Sequence, residues 1–66
     1  MEIHSNGKTY TADNDSTLLA FLKDKGFDPQ KIVVSVNGEI APPEKYQDIV
    51  LHDKDSLDLM SFVGGG

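Results

Sequence analysis

The chain has 66 residues, no cysteine, and eleven acids against six bases, for a net charge of −5 at pH 7. Such a length allows one domain that buries only about 60% of its unfolded surface, and the lack of thiols excludes disulfides and thiolate metal sites as staples. All six bases are lysines, so no guanidinium fork reads guanine or clasps phosphate, and nucleic acid is a poor partner.

An apolar fraction of 38% beside 26% charged residues suits a small folded core. No apolar run approaches membrane-spanning length, and MEIHSNGK lacks the basic start and apolar stretch of a signal peptide. The expectation is a cytoplasmic domain with an acidic surface, which favours a partner with a basic docking face.

The opening MEIHSNGKTYT predicts a hairpin, with Asn6-Gly7 supplying the positive φ angles of a type I′ turn. In ADNDSTLLAFLKDKGF, Leu18, Leu19, Phe21 and Leu22 recur at helical spacing. Asp15 or Ser16 is the predicted N-cap, and Gly26 the stop, with Phe27 folding back as the hydrophobic contact. The helix should run for about two to three turns. KIVVSV reads as an interior strand, Asn37-Gly38 as a second tight turn, and Ile40-Ala41 as a brief pairing ended by Pro42-Pro43. EKYQD suits a single helical turn that tucks Tyr46 against the core. Ile49, Val50 and Leu51 form a further short apolar strand in this reading, HDKDS a polar turn, and LDLMSFV the last strand. A hairpin, a crossing helix and a closing strand predict an α+β fold of the β-grasp kind: a mixed sheet of four to five strands packed on one helix, with the last strand beside the first.

The chain ends in Gly64, Gly65 and Gly66. Glycine is a common linker residue and termini are often disordered, which is one reading of the tail. In the other, the Gly66 carboxylate is the working group and the absent side chains let it enter something narrow. The predicted organisation is a folded unit over residues 1–63 and a flexible tail over residues 64–66.

The stretch VNGEIAPPEKYQDIVLHDKDSLDLMSFVGGG resembles the sulfur carrier proteins of thiazole (thiamine) biosynthesis, the ThiS type, which are ubiquitin-like β-grasp proteins. The resemblance rests on Asn37-Gly38, Pro42, Tyr46, Asp55, the pair Leu57 and Leu59, and Gly65-Gly66, with a looser match through NGK and STLLAFL. Pro43 stands where that family often has arginine, and Lys54 where it often has glycine. The resemblance implies a carrier and not an enzyme. An adenylyltransferase of the ubiquitin-activating, ThiF-like type would use ATP and magnesium to adenylate Gly66, the carrier itself binding no cofactor. A persulfide donor would convert the adenylate to a thiocarboxylate, and a ThiG-like thiazole synthase would take the sulfur. The alternatives are the small subunit of molybdopterin synthase, another sulfur carrier, and a ubiquitin-like protein modifier joined through Gly66 to lysines.

Such a tail has to be held while it reacts. Fixing three glycines costs roughly 3–6 kcal/mol. Period-two alternation in LDLMSFV places Leu57 and Leu59 on one face and Asp58, Met60 and Phe62 on the other. With the leucines in the core, Met60 and Phe62 face outward, and burying each in a partner contributes roughly 1.5–3 kcal/mol. They are the candidate docking residues, while Gly64 and Gly65 are expected to thread a channel in the partner. His4 and His52 lack metal-ligand spacing, and the acids of DNDS and DKDSLD lack the glycine and distal glutamate of a calcium loop. No metal site is expected.

Overall fold

The computed structural model describes residues 1–61. The predicted Phe62 docking residue and the Gly64, Gly65 and Gly66 tail therefore lie outside the described residues. Strands β1 (Glu2–Ser5), β2 (Lys8–Thr11), β3 (Ile32–Val36), β4 (Glu39–Ala41) and β5 (Ser56–Ser61) form one sheet in the order β2-β1-β5-β3-β4, with helix α1 (Leu18–Asp24) crossing between β2 and β3. β5 lies parallel to β1 and antiparallel to β3. The sheet is therefore mixed, with its last strand in the middle, which is the β-grasp arrangement.

Both Asn-Gly turns form as expected. Asn6 and Gly7 have φ of 49° and 82°, and Asn37 and Gly38 have 51° and 91°. These signs turn the chain in two residues without splaying the right-twisted strands, so Ser5 faces Lys8 and Val36 faces Glu39.

The helix is about two turns long, and its cap differs from expectation. Thr17, not Asp15 or Ser16, accepts from the Ala20 N–H at 3.1 Å. Asp15 sits at φ 66°, and the Ser16 hydroxyl donates to the Asp13 carbonyl at 2.7 Å, so both belong to the preceding turn. The stop is the predicted one. The Gly26 N–H reaches the Lys23 carbonyl and the Phe27 N–H the Leu22 carbonyl, closing a Schellman motif with Gly26 at φ 83°.

The expected strand at Ile49, Val50 and Leu51 does not join the sheet. Among the described residues it forms a single bridge, between Val50 and Thr17. The backbone here serves the helix start instead: the Leu18 N–H donates to Ile49 and the Leu19 N–H to Tyr46, while the Leu51 N–H donates to Ser16. The first turn of a helix has N–H groups without intrahelical partners, and this segment supplies carbonyls to two of them.

The core is Ile3, Leu18, Phe21, Leu22, Ile32, Val34, Ala41, Tyr46, Leu51 and Leu57. A 3-10 turn at Pro43–Lys45 brings Tyr46 inward as expected, leaving it 2% exposed. Its hydroxyl donates to the Ile32 carbonyl at 3.2 Å, and burial raises its pKa above 10.0. Folding thus favours the neutral phenol, and its contribution to stability holds below pH 10.0 and is lost as the pH rises through the raised folded value. Tyr46→Phe should cost about 1 kcal/mol at neutral pH through the lost hydrogen bond. It should also flatten the alkaline decline of stability in urea titrations. An unchanged decline would assign that loss to another group. Among the described residues, no helix is long and apolar enough to cross a membrane.

Candidate functional site

β5 is the element that leads to the terminal residues, and its neighbours fix its two faces. Leu57 pairs with Val36 and Leu59 with Val34, so both leucines turn toward the helix. Leu57 is fully buried, whereas Leu59 is only half-buried and packs at the margin of the core. The expectation that the leucines enter the core holds in full for Leu57, while Leu59 packs against the core without being enclosed by it.

The opposite face of the sheet is not covered by any element among the described residues. Met60 pairs with Val33 there and is 52% exposed. Ile40 lies on the same face, opposite Ser35, and is 70% exposed. Residues two apart on a strand share a face, so Ile40 is a diagonal neighbour of Val33, and the three apolar side chains run obliquely across β4, β3 and β5. Sequence reading singled out Met60 but missed Val33 and Ile40. The available signal was that Ile40 alternates with Ala41, whose small side chain suits the core side. Because Met60 is already half covered, burying the remainder in a partner contributes about 1 kcal/mol, less than its full transfer value.

Acidic residues flank this surface. Asp58 pairs with Ser35 on the same face, and Glu2 lies opposite Thr11 at its far side. Exposed His4 is bonded to the Thr9 hydroxyl at 3.3 Å. Among the described residues no group of three His, Cys, Asp or Glu side chains converges as a metal site. Two hollows of about 310 and 540 Å³ open beside the helix, and none of their lining residues belongs to β5.

Two asparagines read from sequence only as turn formers also grip β5. The Asn37 side chain donates to the Asp55 carboxylate at 3.0 Å and accepts from the Ser56 N–H at 2.9 Å, and its backbone N–H reaches the Ser56 carbonyl at 2.7 Å. Asn6 works at the other end. Its amide nitrogen donates to the Leu59 carbonyl at 3.0 Å, and its amide oxygen accepts from the Leu59 N–H at 3.2 Å.

Comparison with known proteins agrees with this architecture. The model of the family described as ThiS matches residues 2–66. A crystal structure of a thiamine biosynthesis protein (ThiS) from Geobacter metallireducens is similar with a TM-score of 0.82 and 28% identity, covering 100% of both chains. The sulfur carrier protein ThiS of Bacillus subtilis is 32% identical over 62 residues, which is 92% of this chain and 94% of that protein. A thiazole synthase of Magnetococcus marinus is 35% identical over 66 residues, covering 100% of this chain and 20% of that protein. The chain thus spans about a fifth of the length of that relative.

Proposed function

The chain belongs to the ThiS family, and from that membership we propose that it carries sulfur in thiamine biosynthesis as a thiocarboxylate on Gly66. The observation that carries this reading is that the family match extends through residue 66 and so includes the terminal glycines. A thiazole synthase containing a stretch similar to the whole chain supports a ThiG-like acceptor of the sulfur.

The chemistry follows from the carboxylate. Its oxygen attacks the α-phosphorus of ATP on a ThiF-like activating enzyme, which supplies the magnesium, and pyrophosphate leaves. The acyl carbon is now electrophilic because AMP is a good leaving group. A persulfide donor attacks that carbon and displaces AMP, forming an acyl disulfide. A donor thiol then cleaves the sulfur–sulfur bond, leaving the thiocarboxylate and an oxidised donor. With no cysteine in the chain, the carboxyl terminus is the group on which sulfur can ride. The protein is a co-substrate in this scheme and does no catalysis itself.

Docking falls to the open face of the sheet through Met60, Val33 and Ile40, and Phe62 joins them on the strength of its alternation with Met60 in the sequence. Gly64 and Gly65 thread the partner's channel, where a Cβ would obstruct close approach to the nucleotide. ATP–pyrophosphate exchange with a ThiF-type enzyme tests the first step. Exchange that depends on this protein is the expected result, and its absence at high carrier concentration would contradict the reading.

A further inference from the structure

The parallel ladder between β1 and β5 stops at Ser5 and Leu57, because β1 ends there and the chain turns away through Asn6-Gly7. β5 nevertheless runs on to Ser61. In a parallel pair the residue two further along a strand offers its N–H and C=O to the same neighbour. On β5 that residue is Leu59, whose neighbouring strand has already ended.

The Asn6 side chain fills this gap. A primary amide presents one N–H donor and one C=O acceptor with the geometry of a peptide group, and Asn6 uses both on the Leu59 backbone. Leu59 sits opposite Val34 of β3 in a pair without mutual hydrogen bonds, so both of its backbone groups are held by a side chain 53 residues away in sequence. It lies two residues before Ser61, the last described residue of the strand. Asn37 makes a comparable grip at Ser56, where β5 begins.

We propose that Asn6 is a positioning residue for the terminal carboxylate: its amide substitutes for the missing rung of β1 and sets the line along which β5 delivers the reactive end. This rests on the Gly66 reading above. Without the rung, residues 60 and 61 are held from the β3 side alone, and binding in a narrow channel must order them first.

The turn and the rung can be separated experimentally. Asn6→Gly keeps a residue at ease with φ 49° but removes the amide, and Asn37→Gly does the same at the distant end of the strand. ATP–pyrophosphate exchange is measured over a range of carrier concentrations for wild type and both variants, beside thermal melts and amide hydrogen exchange. Asn6→Gly should raise the KM for carrier roughly tenfold with kcat little changed, as added ordering before binding requires. It should also speed exchange of the Leu59 amide. Asn37→Gly should lower the melting temperature at least as much yet leave KM near wild type. A wild-type KM for Asn6→Gly, or equal rises in KM for the two variants, would overturn the positioning role while the carrier reading stands. Wild-type protein inactive in exchange would instead bring down the Gly66 reading, and this role with it.

Discussion

Removing Gly65 and Gly66 is expected to abolish adenylate formation while leaving the unfolding midpoint nearly unchanged. The two effects separate because they depend on different parts of the molecule. Among the described residues the buried core runs from Ile3 to Leu57, and glycine has no apolar side chain to withdraw from water. The proposed activation would require a carboxylate at the tip of a side-chain-free segment. C-terminal amidation should eliminate it too, since the nucleophilic oxygen is gone. One alanine added after Gly66 restores a carboxylate but lengthens the tail and introduces a Cβ, and should impair activation severely. Gly65→Ala should impair it substantially for the same steric reason. The check is pyrophosphate exchange beside a thermal melt for each protein. A large loss of stability on truncation would mean that the glycines pack.

The second large effect divides the two faces of β5. Leu57→Ala should destabilise by about 2–5 kcal/mol, since Leu57 is fully buried and the small core has little means of closing the cavity. In a domain this size that is a large share of the total stability, and the midpoint should fall by more than about 10 °C. Leu59→Ala should cost less, because Leu59 is only half-buried. Met60→Ala and Ile40→Ala should scarcely move the midpoint, their side chains being 52% and 70% exposed. Both should raise the KM for carrier in the exchange assay, and Phe62→Ala is expected to do so as well. A Met60→Ala protein that melts early but activates normally would place Met60 in the fold and not in docking.

Much of this was legible from residue types because local chemistry dictated it. Asn-Gly between extended runs leaves few options beyond a type I′ turn, and Gly26 followed by Phe27 spells a helix stop. Alternation in SLDLMS sets the faces of β5, and one aromatic after a proline pair sufficed to bring Tyr46 inside. The misses share a different cause. Asp15, Ser16 and Thr17 are all competent caps, and the choice falls to Thr17 where the carbonyls of Tyr46 and Ile49 reach the first helical N–H groups. That contact spans some thirty residues and leaves no local trace. The same contact takes the backbone groups that would have made Ile49, Val50 and Leu51 a strand. The rungs made by Asn6 and Asn37 were hidden behind their role as turn formers, since asparagine there is already explained by its tolerance of positive φ. At the candidate site, alternation in the sequence turns Met60 outward, and it is exposed. Ile40 and Val33 join it only through the register of three strands.

Carriage of sulfur on the Gly66 carboxyl leaves a mass signature. Intact mass spectrometry of the protein isolated from cells making thiamine, followed by fragmentation of its C-terminal peptide, tests it most directly. The expected result is a population in which one oxygen is replaced by sulfur, with the change confined to Gly66 and absent when the activating enzyme is deleted. A C-terminus that remains a plain carboxylate in every such cell, or one found only in branched Gly-Lys peptides with other proteins, would contradict it.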